Sequence, residues 1–163
     1  MVSKNRQTCY NTAMDKKEDI SYRFFIDKRG NWFQDGIKIQ HRLTYLYNNK
    51  LLQRDEEGRY YLDEGSGKLY IEVEDTPFVV KMVDKQGEDF YIILNDETKE
   101  KLDLKTLSIN DENVPYAKIK DGLFEARFTR PAYYEFMKYL KKEDSDYFIV
   151  SNGEKHILKR IPS

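Results

Sequence analysis

The feature that most constrains the fold of this chain is a series of short apolar segments separated by glycine-containing turns, which occurs twice in the same order. In the first copy, residues 22–25 and 32–33 flank the polar turn 27–30, a pattern typical of a β-hairpin. Apolar residues then recur at helical spacing between Ile39 and Tyr47, which predicts an amphipathic helix. Two strand-like segments follow this helix, and each is bounded by its own polar turn.

The second copy repeats this order in the C-terminal part of the chain. Residues 117–119 and 123–128 flank the turn 120–122, and Pro131 is then typical of the first turn of a helix. The strand-like segments 146–150 and 155–158 complete the copy. A repeated order of this kind is typical of duplication. The sequence therefore predicts an α+β fold of two similar halves, with antiparallel sheets each packed with a helix.

The segment 68–74 has the alternation of a strand with one buried face. Leu69, Ile71 and Val73 alternate with polar or charged residues, so we expect these three side chains to point into the core. The opposite face is expected to carry an aromatic ring and carboxylates. A further antiparallel pair is predicted at 78–83 and 90–94.

The charge balance and the scarcity of metal ligands exclude several function classes. The 28 Lys and Arg residues nearly cancel the 29 Asp and Glu residues, which leaves a formal charge of −1 and no global field for nucleic acid or anionic lipid. Cys9 is the one cysteine, so an internal disulfide and a cysteine-based zinc site are excluded. His41 and His156 are the two histidines. We therefore expect neither a metal nor a cofactor, and neither a nucleic-acid nor a membrane partner.

The N-terminal segment 1–21 is polar and aperiodic, which is typical of a mobile leader. It has no apolar stretch like that of a signal peptide, and no apolar run in the chain approaches the ~20 residues of a membrane-spanning helix. On this basis the sequence predicts a cytoplasmic protein.

Several motifs resemble an uncharacterised bacterial family, the domain of unknown function 1285. In the first half they are Ile26-Asp27-Lys28-Arg29-Gly30-Asn31-Trp32-Phe33, the segment 52–62 and Ile71-Glu72-Val73-Glu74-Asp75-Thr76-Pro77-Phe78. In the second half they are Pro115-Tyr116, the segment 122–126, Arg130 and Tyr133-Tyr134. The segments 64–67 and 148–150 depart from the family pattern, which is typical of a divergent member.

This resemblance carries its own expectations about architecture and function. It implies two halves, 22–76 and 77–163, of which the second is barrel-like and similar to a pleckstrin-homology domain. It also implies a candidate ligand site at the interface of the halves, a nucleotide-like ligand and a role in signal transduction.

Asp75 is the residue around which we expect the site to form, because it lies at the junction between the halves. Arg127 and Arg130 are its candidate partners, either in a structural salt bridge or in contact with an anionic ligand. Trp32 is either a stacking surface or a core residue. The predicted ligand-binding residues are Trp32, Glu74, Asp75, Tyr116, Arg127 and Arg130.

Motifs of catalysis are missing from the sequence. It contains no Gly-x-Ser-x-Gly elbow, no phosphate-binding glycine loop and no dinucleotide fingerprint. We therefore expect a binding or regulatory protein that accepts a small anionic ligand between its halves. The alternative is a protein-interaction module that uses an exposed aromatic sheet or an edge strand. An enzyme is the third hypothesis.

Overall fold

The computed structural model describes residues 22–163, in which short strands form four sheets and two helices pack against them. The predictions for the leader 1–21 and for Cys9 lie outside the described residues. The strands of the first sheet are β1 (Phe24–Ile26), β2 (Trp32–Gln34), β3 (Ile37–Lys38) and β7 (Glu72–Val73). Their order is β3-β2-β1-β7, in which β1 and β2 form the predicted hairpin and β7 pairs with β1 in parallel.

Helix α1 (Arg42–Leu51) connects this hairpin to a three-stranded antiparallel sheet. The sheet comprises β4 (Leu52–Arg54), β5 (Tyr60–Asp63) and β6 (Lys68–Tyr70). The helix begins three residues later than the apolar spacing predicted. The delay has a local cause, because β3 pairs with β2 and the backbone N–H of Ile39 donates to the carbonyl of Trp32 at 2.8 Å.

A seven-stranded mixed sheet forms the centre of the molecule. Its strands are β8 (Phe78–Gln86), β9 (Asp89–Leu94), β10 (Lys99–Lys101), β11 (Ser108–Ile109), β12 (Pro115–Ile119), β13 (Phe124–Phe128) and β17 (Lys159–Arg160). Their order is β10-β9-β8-β13-β12-β11-β17. The predicted pair of β8 and β9 is present, and β8 also pairs in parallel with β13. A short 3₁₀ helix, Leu104–Thr106, precedes β11.

Helix α2 (Arg130–Met137) follows β13 directly and has proline in its first turn, as the sequence predicted. It leads into a second three-stranded antiparallel sheet of β14 (Lys141–Glu143), β15 (Asp146–Ser151) and β16 (Glu154–Ile157). A hairpin, a helix and a three-stranded sheet thus follow one another twice along the chain. No helix within 22–163 is long and apolar enough to cross a membrane.

Aromatic rings hold helix α2 in the hydrophobic core. Phe136 of α2 is fully buried and lies 5.7 Å from Phe90 and 5.1 Å from Phe128, measured between ring centroids. Trp32 is 1% exposed and also belongs to the core. Helix α2 is therefore held to the central sheet by ring-to-ring contacts, which contribute about 0.5–1.5 kcal/mol each beyond the area they bury.

The predicted strand 68–74 is interrupted at Ile71. Before the interruption β6 pairs with β5, whereas after it β7 pairs with β1 in the first sheet. Because the chain changes sheets here, the side-chain alternation does not continue through the segment. Ile71 is buried, but Leu69 is 41% exposed, so the predicted single buried face is wrong at that residue.

Candidate functional site

A bridge of three side chains joins the β7–β8 connection to the central sheet. The Asp75 carboxylate accepts hydrogen bonds from the Tyr116 hydroxyl at 2.7 Å and from Arg127 Nη1 at 2.9 Å. The same Nη1 also donates to the Tyr116 hydroxyl at 3.1 Å. Tyr116 and Arg127 are brought together because they are cross-strand partners in β12 and β13. Asp75 therefore pairs with Arg127, one of the two arginines that the sequence offered.

Thr76 reinforces this connection from the neighbouring position. Its side chain is buried, and its hydroxyl donates to the carbonyl of Phe78 at 2.7 Å. The same hydroxyl accepts from the backbone N–H of Arg127 at 3.1 Å. The β7–β8 connection is thus tied to β13 by hydrogen bonds to both its backbone and its side chains.

The bridge keeps the Tyr116 hydroxyl protonated and the Arg127 guanidinium charged. Burial, followed by the hydrogen bond to Asp75, raises the pKa of Tyr116 to about 12. Burial alone would lower the pKa of Arg127, but the hydrogen bond to Asp75 and the proximity of Tyr116 more than offset it and leave that pKa raised. The Tyr116 hydroxyl therefore acts as a hydrogen-bond donor to the carboxylate over the whole physiological range.

A cleft of about 800 Å³ lies beside this bridge, between the β1–β2 turn and the N-terminal end of α2. Five of its lining residues are cationic, and Glu112 is its one carboxylate. Tyr133 and Tyr134 add two aromatic rings. The cationic residues are Lys28, Arg29, Lys81, Arg127 and Arg130.

The cationic side chains of the cleft are available to solvent. Lys28, Arg29, Lys81 and Arg130 are exposed, and within residues 22–163 none of these four has a carboxylate oxygen within 4.0 Å. The β1–β2 turn that carries the first two is fixed in place, because the backbone N–H of Lys28 donates to Glu74 at 2.6 Å. The cleft therefore gathers cationic side chains at one place on the surface, although the formal net charge of the chain is −1.

Three of the six residues predicted from the sequence, Asp75, Tyr116 and Arg127, come together in the bridge. Arg127 and Arg130 line the cleft. Glu74 does not line the cleft, but it orients the turn that does.

Of the two roles that the sequence left open for Trp32, the structure has the core one, and it offers no stacking surface at Tyr116 either. Trp32 is 1% exposed, and its indole Nε1 donates to Asn49 Oδ1 at 2.8 Å. Tyr116 is 7% exposed, and its hydroxyl is engaged by Asp75. Both rings are therefore buried parts of the fold rather than exposed faces.

Sequence reasoning missed most of the cleft's cations and both of its tyrosines as site residues. Lys28 and Arg29 belong to a polar turn, Lys81 to a strand and Tyr133 and Tyr134 to a helix, so no local pattern connects them. One signal in the sequence pointed to these residues. The turn 27–30 and the pair Tyr133-Tyr134 both belong to the motifs that resemble the DUF1285 family.

Acidic residues do not form a metal site in the described part of the chain. Glu72, Glu74 and Asp75 are close in sequence, yet residues 22–163 contain no group of three or more His, Cys, Asp or Glu side chains arranged to hold a metal ion.

Two solved structures share this fold. One is a DUF1285 family protein from Silicibacter pomeroyi DSS-3, with a TM-score of 0.70 and 24% sequence identity over 85% of this chain and 80% of that chain. The other is a DUF1285 family protein from Shewanella baltica OS155, with a TM-score of 0.61 and 21% identity over 71% of this chain and 91% of that chain. No family model and no curated protein matches the sequence. The chain therefore has the fold of DUF1285 family proteins, as the resemblance of its motifs predicted.

Proposed function

We propose that this protein is a divergent DUF1285 family member that binds a small polyanionic, nucleotide-like ligand in its basic cleft and acts in regulation rather than catalysis. The observation that carries the proposal is the surplus of cations in the cleft, where five Lys and Arg side chains surround a volume of about 800 Å³ with one carboxylate. A cavity of that size is in the range that holds a whole small molecule. Concentrated positive charge in a concave site focuses the field on anions.

The chemistry of the cleft favours phosphate-bearing ligands over simple carboxylates. Arg130 is exposed at the first position of α2, and its planar guanidinium matches the oxygen geometry of a phosphate. The Tyr134 ring is 57% exposed and lines the same cleft, where it offers a stacking face to a planar group. A ligand with both phosphates and an aromatic ring would use both features.

Arg127 gives the proposed site a means of affecting the rest of the molecule. It lines the cleft and also holds Asp75 at the junction between the halves. A ligand anion that pairs with the Arg127 guanidinium would compete with Asp75 for this cation. Ligand binding would then alter the junction, which is the kind of coupling that a role in signal transduction requires.

We also propose that the protein consists of two halves, 22–76 and 77–163, which descend from one duplicated unit. The second half is similar to a pleckstrin-homology domain. The recurrence of hairpin, helix and three-stranded sheet supports the duplication. The cleft draws Lys28 and Arg29 from the first half and its other lining residues from the second, which supports a site between halves. A cytoplasmic location belongs to the same proposal.

A thermal-shift screen tests the ligand proposal. The purified protein is screened against linear and cyclic nucleotides, cyclic dinucleotides, dinucleotide cofactors and inorganic pyrophosphate. A ligand at 100 times its Kd stabilises by about 2.7 kcal/mol, which raises the Tm by several degrees in a chain of this length. Arg130→Ala should abolish the shift, whereas Lys118→Ala, which removes an exposed charge on β12 outside the cleft, should preserve it. The proposal fails if no compound shifts the Tm, or if the two variants behave alike.

A second candidate function is a protein-interaction module. The observation that favours it is the outer face of the sheet β14–β15–β16, where Val150 and Ile157 are 47% and 55% exposed. Affinity capture with the wild type and with Val150→Lys tests this candidate. A partner retained by the wild type and lost by the variant would support it, and equal retention would contradict it.

A further inference from the structure

A second cavity, of about 400 Å³, lies between the C-terminal part of α1 and the β12–β13 end of the central sheet. Its apolar wall consists of Leu46, Leu52, Phe78 and Phe124. Leu52 is 3% exposed, and the Phe78 and Phe124 rings meet edge to face with centroids 5.1 Å apart. One wall of this cavity is thus hydrocarbon-like.

Charged groups meet at one side of this cavity. Lys120 Nζ donates to Asp96 Oδ2 at 2.8 Å and to the Thr98 hydroxyl at 3.4 Å, and it lies 5.0 Å from the centroid of the Phe78 ring. Burial alone would raise the pKa of Asp96, but the hydrogen bonds from Lys120 and Thr98 leave that pKa lowered. An ammonium group has three donors, and two of them are used here.

A buried amide lines the same cavity. Asn49 is 4% exposed, and its Oδ1 accepts from the indole Nε1 of Trp32 at 2.8 Å. Its Nδ2 is buried and has no hydrogen-bond partner in the described part of the chain. A buried donor without a partner is destabilising, so an acceptor oxygen supplied at this position would be favoured.

The charges of the lining residues decide which acceptor suits the cavity. Lys50 and Lys120 are cationic and Asp96 is anionic, which leaves one positive charge in excess. We propose that this cavity binds a small apolar monocarboxylic acid. Its carboxylate accepts from Asn49 Nδ2 and Lys120 Nζ, and its hydrocarbon part lies against the apolar wall. This site is separate from the basic cleft and does not depend on the function proposed for it.

Calorimetric titration with hexanoate tests the proposal, with hexan-1-ol as the probe that lacks the carboxylate. We expect saturable binding of hexanoate and at least about tenfold weaker binding of hexan-1-ol, because a hydrogen-bonded charge is lost. Asn49→Asp keeps an acceptor for Trp32 and replaces the unpartnered donor by an oxygen that repels carboxylate. This variant should bind hexanoate at least about tenfold more weakly than the wild type.

Asn48→Asp is the matched control, since Asn48 is also buried with an unpartnered Nδ2 but does not line the cavity. It should bind hexanoate like the wild type. If either Asp variant fails to fold by circular dichroism, Leu46→Trp replaces it, because the larger side chain fills the cavity from its half-buried wall position and should abolish binding.

Arg130→Ala separates this proposal from the basic cleft and should leave hexanoate affinity unchanged. The proposal is overturned if hexanoate does not bind the wild type, if Asn49→Asp binds it unchanged, or if Leu46→Trp does. It is also overturned if Arg130→Ala abolishes binding, since the anion would then occupy the basic cleft.

Discussion

Replacing Tyr116 with Phe should make the stability of the protein less sensitive to high pH. The Tyr116 hydroxyl donates to Asp75, and its pKa is raised from 10.0 to about 12 in the folded protein. A raised pKa means that the folded state favours the protonated hydroxyl. The stability that this provides is fully present below pH 10 and is lost as pH rises towards 12.

The size of the effect follows from the shift. Two pKa units correspond to about 3 kcal/mol of unfolding free energy, and roughly half of this is lost by pH 11. Near neutral pH the variant should be less stable than the wild type by about 1.5–3 kcal/mol, the contribution of a hydrogen bond to a charged group. The gap should narrow by roughly 1.4 kcal/mol between pH 8 and pH 11.

Urea unfolding at pH 8 and pH 11 measures this gap. Trp32 is the one tryptophan of the chain and is buried, so its fluorescence follows the unfolding of the core, with far-ultraviolet circular dichroism as a second signal. Tyr134→Phe is the control, because the Tyr134 ring is 57% exposed. Its unfolding free energy should follow the wild-type curve. A gap between wild type and Tyr116→Phe that is the same at both pH values would refute the role assigned to the bridge.

Three further substitutions test the packing described above. Gly30→Ala should lower the unfolding free energy by about 2–3 kcal/mol, because Gly30 has a φ of +81° and an added Cβ would lie 2.7 Å from Val79 and 2.8 Å from Asn95. Gly36→Ala shares the positive φ, +80°, but meets nothing within 4 Å, so it should cost about 1 kcal/mol, and equal losses in urea unfolding would contradict this reasoning. Phe136→Ala removes a fully buried ring and should cost about 3–5 kcal/mol, which calorimetry would record as a Tm lower by roughly 6–20 °C. A decrease of under about 2 °C would show that α2 packs less tightly than its contacts indicate.

Local patterns in the sequence predicted local structure well. Proline at position 131 marked the start of α2, and the pairing of 78–83 with 90–94 is present in β8 and β9. Both features depend on residues close in the chain, where turn chemistry and apolar spacing act directly. The alternation at 68–74 predicted one continuous strand with a single buried face. This prediction was wrong at Leu69, because the chain passes from one sheet to another at Ile71.

The candidate site was predictable only in part. Asp75 at the junction and an arginine partner were expected from the sequence, but the choice of Arg127 depends on its register opposite Tyr116 in the β12–β13 pair. The cleft was harder to predict from the sequence, because Lys28 and Arg130 are 102 positions apart in the chain and both line the cleft only through tertiary packing. A charge cluster that forms only through tertiary packing leaves no local spacing pattern in the sequence.

The parallel pairing of β11 with β17 sets an order on the folding of the central sheet. Ser108 is in register with Lys159, 51 positions further along the chain. During synthesis, β11 can pair with β12 as soon as that hairpin emerges, but its other edge stays open until α2 and the sheet β14–β15–β16 have been made. Because β17 is also the last of these strands to be synthesised, we expect it to close the edge of the sheet after the rest has formed. Variants that weaken β17 should accordingly speed unfolding while leaving the rate of folding almost unchanged.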